Sequence, residues 1–261
     1  MRERATSLHD TAGTAAHGAR VPLRIAVDGA RIAALLAPFK LRIGVVIAAT
    51  AAAGIAIQDG PALAVAQIGA VFLGVLLASA AAGAFNQYYE ADLDAKMVRT
   101  RRRPFVTGRI ARSSGWLLVV GALTATGVAL AWLAANALAA LFTFLGAFVY
   151  AVVYTVWLKR RTWLNIVIGG AAGSFAVLAG AAAVTPQLSL ASWLFAVILF
   201  LWTPPHFWSL AIVCRDDYAA AGVPMLPVVK GDRTAGRAIL AHAVVLVALS
   251  WLLIPQLGTA Y

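Results

Sequence analysis

The stretch Asn86-Gln87-Tyr88-Tyr89-Glu90-Ala91-Asp92-Leu93-Asp94-Ala95-Lys96-Met97-Val98-Arg99-Thr100-Arg101-Arg102-Arg103-Pro104 follows a long apolar run, residues 61–85. It sets three acids and five basic residues in nineteen positions. Asn86, Glu90 and Asp94 recur every fourth residue, so on a continuing helix they stack along one face. Such a ladder of oxygen ligands at the water-facing end of a membrane helix suits Mg²⁺. That ion takes few carboxylates, keeps some waters and draws its remaining ligands from substrate phosphates. The arginines just downstream match the same phosphates in charge and in bidentate geometry. The alternative is a solvated loop that fixes topology, and basic residues alone imply only that. Acids contribute little to orientation, so it is the acidic ladder that points to a diphosphate-handling site at a membrane surface.

Outward from this stretch the chain is 62% hydrophobic and 12% charged, with a mean hydropathy of +0.86. That balance excludes a soluble domain and marks an integral membrane protein. The net charge of +11 raises nucleic acid as a partner, but no folded polar domain is present to carry the footprint, and no nucleic acid is expected. Cys214 is the one cysteine, so no intrachain disulfide forms, and it reads as a small apolar residue. Residues 1–34 are polar and lack the apolar core of a secretory signal. Their arginines faintly suggest a mitochondrial presequence, which Glu3, Asp10 and Asp28 weaken. His9 and His17 lie in this tail and are given no role.

Seven apolar segments approach the ~20 residues needed to cross the hydrocarbon core: 35–57, 61–85, 114–134, 136–157, 163–184, 190–213 and 236–255. The expected fold is therefore an all-α polytopic membrane bundle of about seven transmembrane helices, with 1–34 a polar cytoplasmic tail and 35–261 one transmembrane domain. Lys and Arg gather in the tail, the first-helix entry and loops 2–3, 4–5 and 6–7, while Asp59 is the only charge in loops 1–2, 3–4 and 5–6. The positive-inside rule then puts the N-terminus in the cytoplasm. Trp116, Trp157, Trp163 and Trp193 read as interface anchors, and Gly169, Gly173 and Ser174 as a site of close helix packing.

Loop 6–7 opens with Asp216 and Asp217 as they leave helix 6, much as Glu90 and Asp94 leave helix 2. Two facing acidic clusters would clamp a diphosphate through Mg²⁺; the alternative is an acidic helix end paired with Arg215 or Lys230. Loop 4–5 carries Lys159, Arg160 and Arg161 without an acid, an anion-binding candidate or a topology signal. Asn165 follows as a cap or a polar contact. In helix 6, Pro204 and Pro205 break the hydrogen-bond ladder beside His206, an ionisable group within the membrane and so a functional suspect. Its other role is to donate to a carbonyl that the prolines free. His242 is left unassigned.

Assembled, these residues resemble the UbiA-type intramembrane prenyltransferases, and among them the protoheme IX farnesyltransferase (haem O synthase) branch. The resemblance runs from about Lys40 to Gly236. It is carried by Asn86 to Asp94 with Met97, Arg99-Thr100 and Arg103-Pro104, by Tyr154-Thr155 with Leu158-Lys159-Arg160, and by Asn165 to Gly170. Thr203-Pro204-Pro205-His206-Phe207-Trp208 and Asp217-Tyr218 with Ala221 to Pro227 point to the haem-modifying branch. The resemblance implies farnesyl transfer from farnesyl diphosphate to the 2-vinyl group of haem B, giving haem O for terminal oxidases. It implies Mg²⁺ on Asn86, Glu90, Asp94 and Asp216 or Asp217. Arg99, Arg103 and Lys159 would be phosphate cations with Arg160 in reserve, and Tyr154 and His206 would lie at the substrates. The lipid bilayer is a partner; haem A synthase or oxidase assembly factors are further ones. A bacterial inner membrane is favoured over the mitochondrial inner membrane.

Two departures stand out. The family's second motif has acids four residues apart, but Ala221 stands where the acid after Asp217 is expected. The family fold also has nine helices, whereas this sequence stops at Tyr261, soon after the seventh. Either the sequence is cut short or the member is a short one, with a cavity wall open or supplied by a partner. Two other readings compete. One keeps the chemistry with an aromatic or quinone-precursor acceptor. The other is a non-catalytic haem-binding assembly factor or a transporter. Transporters place charge near the midplane on paired broken helices, whereas here polar clusters sit at one surface and one helix is broken.

Overall fold

The computed structural model describes residues 29–257, and within them the only regular structure is helical. Helices α1 (Gly29–Leu36) and α2 (Leu41–Ile57) are joined by a tight turn at Ala37–Phe39 and followed by α3 (Val65–Tyr89) and α4 (Ala91–Lys96). Next come α5 (Pro104–Thr107), α6 (Gly115–Ala134) and α7 (Ala137–Phe148), whose end continues as a wider π-helical segment, Val149–Leu158. The chain proceeds through α8 (Asn165–Gly169), α9 (Ala171–Val184), α10 (Leu190–Val213), α11 (Arg215–Ala220), α12 (Leu226–Lys230), α13 (Asp232–Trp251) and α14 (Ile254–Leu257). Six of these spans are long and apolar enough to cross a membrane, and the bent α1–α2 pair makes a seventh. The protein is a multi-pass, all-α membrane protein, as the seven apolar segments imply.

The first span is not the straight helix that residues 35–57 suggest. It bends by 44° at Lys40, which holds a left-handed backbone (φ 49°) just after Pro38. Such a bend frees carbonyls that lipid cannot satisfy. Gln87 on α3 meets them, its Nε2 donating to Ala37 O at 3.2 Å and Pro38 O at 3.3 Å.

Lipid tails are as apolar as leucine, so tight van der Waals packing of small residues drives helix pairing here. That packing includes Gly169, where a Cβ would stand 2.9 Å from Tyr154 Cδ2, but not Gly173, and it is tightest elsewhere. A Cβ on Gly74 of α3 would stand 2.6 Å from Gly127 O on α6. One on Gly180 of α9 would fall inside the contact shell of Ala51 O on α2, and one on Gly54 inside that of Val177 O. By contrast, Gly173 faces open space, because its face of α9 borders a cavity. Ser174 is buried and donates to Ala196 O at 2.7 Å. Trp116 joins an aromatic cluster, edge-on to Phe105 at 5.2 Å.

Candidate active site

A cavity of about 1,000 Å³ runs between α2, α3, the π-helical segment, α9 and α10, at the upper end of the roughly 300–1,000 Å³ usual for small-molecule sites. Its body is apolar, bordered by residues such as Ile47, Val75, Phe142 and Leu199. One end is polar and bears Lys40, Asn86, Asp94, Arg99, Arg103, Tyr150, Tyr154 and Lys159.

The ladder holds through a bend. Glu90 leaves α3 with φ −95° and ψ 14°, yet Glu90 N still donates to Asn86 O at 3.0 Å and Asp94 N to Glu90 O at 2.8 Å. All three side chains are buried at 3, 0 and 2% exposure, which a charged or amide group tolerates only with partners. Asn86 Oδ1 accepts from Lys40 Nζ at 2.8 Å and its Nδ2 donates to Thr155 Oγ1 at 3.1 Å. Glu90 is ion-paired with Lys159. Arg103 Nη1 donates to both Asp94 oxygens, at 2.8 and 2.7 Å. Among the described residues Glu90 Oε1 has no hydrogen-bond partner. A fully buried, unpartnered carboxylate oxygen fits a cation, and with Asn86 and Asp94 it forms an oxygen-only donor set suited to Mg²⁺.

The π-helical segment sets the opposite wall. In an α-helix, nine residues make two and a half turns, so Lys159 would point away from Tyr150. At about 4.4 residues per turn in the wider i→i+5 helix, Tyr150, Tyr154 and Lys159 share one face. Their contacts agree with this. Tyr150 and Tyr154 stack at 5.8 Å, and Lys159 Nζ lies 5.6 Å from the Tyr154 ring centre. Thr155 donates to Tyr150 O, five residues back, at 2.8 Å.

Arg160, one residue on, faces elsewhere. It pairs bidentately with Asp92 at 2.8 Å through both nitrogens, beside Tyr89, Arg112 and Arg161 in a separate surface pocket. This pair holds the Asp92 carboxyl below its usual range, the Arg160 hydrogen bond being the main cause. Helix phase separates the two basic neighbours, as it separates Asp92 from Asp94.

The two acidic motifs do not form facing clusters. Asp216 is exposed. Asp217 accepts from the backbone N–H of Val98 at 3.2 Å and of Arg99 at 3.3 Å. Arg215 pairs with Asp232 at 3.4 Å, not with an acid of its own helix end. Among the described residues no three His, Cys, Asp or Glu side chains converge on one point. Asn165 does not cap α8; its Nδ2 donates to Lys159 O at 3.4 Å.

Farther along the cavity wall stands His206. It is exposed, stacks on Trp202 at 4.5 Å and meets Phe207 edge-on at 5.2 Å. Among the described residues it has no hydrogen bond to a proline-freed carbonyl. The hydroxyls there back-bond within α10, Thr203 Oγ1 donating to Leu199 O at 3.0 Å and Ser209 Oγ to Pro205 O at 2.7 Å, and neither reaches the carbonyls of Phe200 and Leu201 that the prolines free.

Sequence reasoning gave no site role to Lys40, Tyr150 or Thr155. Lys40 Nζ reaches Asn86 Oδ1 and also donates to Tyr150 OH at 3.0 Å. The signal was present, since a lysine inside an apolar span is a functional suspect, but next to a basic tail it reads as part of the entry.

The profile of the UbiA prenyltransferase family matches residues 46–261. The chain is 59% identical over 223 residues to "Protoheme IX farnesyltransferase 2" of Paramagnetospirillum magneticum, covering 85% of this chain and 77% of that protein. It is 49% identical over 194 residues to the protoheme IX farnesyltransferase of Thermus thermophilus, covering 74% of this chain and 32% of that longer protein. Among solved structures, the apo UbiA homologue of Aeropyrum pernix K1 superposes with a TM-score of 0.73 at 24% identity, covering 83% of this chain and 80% of that one. A UbiA homologue of Archaeoglobus fulgidus bound to DMAPP and Mg²⁺ gives 0.70 at 20% identity, covering 84% and 76%. The chain belongs to the UbiA prenyltransferase family, on the branch that holds the protoheme IX farnesyltransferases.

Proposed function

We propose that the protein transfers the farnesyl group of farnesyl diphosphate to a vinyl group of haem B, giving haem O. The observation that carries this reading is one cavity with a cationic pole and a long apolar body. The pole sets Lys40, Arg99, Arg103 and Lys159 against the carboxylates of Glu90 and Asp94, a surplus of positive charge suited to a diphosphate. A prenyl chain fits the apolar body, and the remaining width suits a flat acceptor against Trp202 and His206.

The pole cations hold the diphosphate and stabilise the charge that grows on it as the allylic C–O bond breaks. Bound at Asn86, Glu90 and Asp94, Mg²⁺ supplies further neutralisation of that leaving group. The faces of Tyr150 and Tyr154 offer π-density to the allylic carbon as it becomes cation-like. The vinyl π-pair forms the new C–C bond, and the resulting cation takes up water and loses a proton, leaving a hydroxyethylfarnesyl group. Apolar walls keep water from the farnesyl carbon until that bond has formed. His206 touches the haem, through its iron or a propionate. Arg160 and Asp216 stand outside the pole and take no part in these steps.

In this reading the polar tail is shorter than residues 1–34, since α1 already begins at Gly29 and residues 1–28 lie outside the described residues. The prenyltransferase domain sits in a bacterial inner membrane with the pole and the N-terminus on the cytoplasmic side. Haem A synthase or an oxidase assembly factor receives the product. The test supplies membranes holding this chain with haem B, farnesyl diphosphate and Mg²⁺, and extracted haems are weighed by mass spectrometry. A haem O mass that appears with the intact chain and not with Asp94→Ala is the expected result. Prenylated quinone precursor, offered in parallel and found instead, would overturn the acceptor.

A further inference from the structure

The Asp217 carboxylate is taken up by the backbone of the other motif. Oδ1 accepts from Val98 N at 3.2 Å and Oδ2 from Arg99 N at 3.3 Å, so both oxygens engage consecutive amides, in charge-assisted bonds at the long end of the range. Tyr218, the next residue, is buried at 6% exposure and packs in one cluster with Leu93, Met97, Val223 and Met225. Arg99 and Tyr218 both border the cavity, and Asp217 does not. Ala221, where a second acid is expected, lies buried in the same apolar cluster. The loop is tied at its far end too, by Arg103 to Asp94 and by Thr100 Oγ1 to Asp94 O at 3.0 Å.

We infer that Asp217 is a positioning residue, a clamp on the Val98–Arg99 backbone that aims Arg99 at the cavity pole, and that it does this in place of holding metal. Unlike Asp94, the Asp217 carboxylate does not border the cavity; its two oxygens are turned to backbone donors, and without a second acid there is no pair to share a cation. Freed of the clamp, Arg99 keeps its charge but loses its aim, so the diphosphate binds less well while the metal site is unchanged. The kinetic part of this inference rests on the prenyl-transfer reading; the clamp itself does not.

Hydrogen–deuterium exchange on purified, ligand-free protein in EDTA reads the clamp directly. Asp217→Ala is expected to speed exchange at the Val98 and Arg99 amides about tenfold or more, the scale of one lost charge-assisted hydrogen bond, with α3 and α10 unchanged. Asp217→Asn, which keeps one acceptor oxygen, falls between and carries the comparison if the alanine variant does not fold. In turnover, Asp217→Ala raises the KM for farnesyl diphosphate about tenfold and leaves the Mg²⁺ concentration for half-maximal rate where it was. In an Arg99→Ala background the same change adds less than about twofold. Wild-type exchange at both amides, a tenfold shift in Mg²⁺ dependence, or full additivity with Arg99→Ala would each overturn the inference. Should the wild type make no farnesylated haem, the transfer reading fails and the exchange rates still decide the clamp.

Discussion

Lys159→Met separates what the Glu90–Lys159 pair does for folding from what it does for chemistry. Glu90 has no exposed surface, and Lys159 keeps 12% of its side chain exposed. Removing the lysine leaves a buried carboxylate with both oxygens unpartnered, since Oε1 has none already. Breaking a buried pair from one side costs about 3–5 kcal/mol, on the order of 10 °C in unfolding temperature for a chain of this size. Adding Glu90→Gln removes the stranded charge, and pairs replaced by neutral groups are often close to neutral in stability. Lys159→Met is therefore expected to unfold far earlier than wild type, and Lys159→Met with Glu90→Gln to recover most of the loss. Both are expected to be inactive, because the pole has lost its cation. Intrinsic fluorescence of the eight tryptophans follows unfolding in detergent. A single variant that unfolds within a degree or two of wild type, or a double variant no more stable than the single, refutes the claim that this buried pair is charged and mutually dependent.

Gly180→Ala drives a methyl group into Ala51 O, and the α2–α9 pair should lose stability by about 1–3 kcal/mol, read as lower folded yield and earlier unfolding. Gly173→Leu meets open space at the cavity, so it should fold normally and lose acceptor binding; equal damage to both properties would contradict the cavity assignment. Arg160→Ala should leave turnover within about twofold and cost less than about 1 kcal/mol, as exposed pairs do. Because its partner Asp92 titrates below the usual range, that small contribution is full at neutral pH and fades as pH falls through the lowered Asp92 value; melting curves of the two proteins should converge in acid. His206→Ala should abolish the Soret shift seen on adding haem B while farnesyl diphosphate still binds, and an unchanged spectrum would remove His206 from the acceptor site.

Hydropathy made the spans legible because a helix in lipid must be continuous and apolar over a fixed length. Charge spacing made Asn86, Glu90 and Asp94 legible because backbone hydrogen bonds carry the i, i+4 period through the bend at Glu90. What stayed hidden depended on phase or on partners. Lys159 and Arg160 are equivalent in sequence, and only the helix pitch between Tyr150 and Leu158 decides that one reaches the cavity. Asp217 looks like a ligand beside Asp216, but the amides that occupy it come from residues more than a hundred positions earlier. Lys40 lies next to a basic tail, and its bend becomes visible only once Gln87 is seen to satisfy Ala37 and Pro38. The close pairings at Gly54, Gly74, Gly127 and Gly180 are sequence-distant and have no local signature in so alanine-rich a chain.

The widened helix at Val149–Leu158 makes the chain's length there as important as its letters. Side chains on the segment other than Tyr150, Tyr154 and Thr155 can change with modest effect, but deleting one residue would let the helix relax to its ordinary pitch. Lys159 would then follow Tyr150 by eight residues, about 2.2 turns at 3.6 residues per turn, and stand about 80° off the face it now shares. Lys159 would swing out of the cavity and a neighbour would take its place, with every functional residue still present in the sequence. Comparing relatives at this point thus calls for counting residues between the two tyrosines and the lysine before comparing their identities. Where the count is shorter by one, the wall facing Glu90 must be built from a different set of side chains.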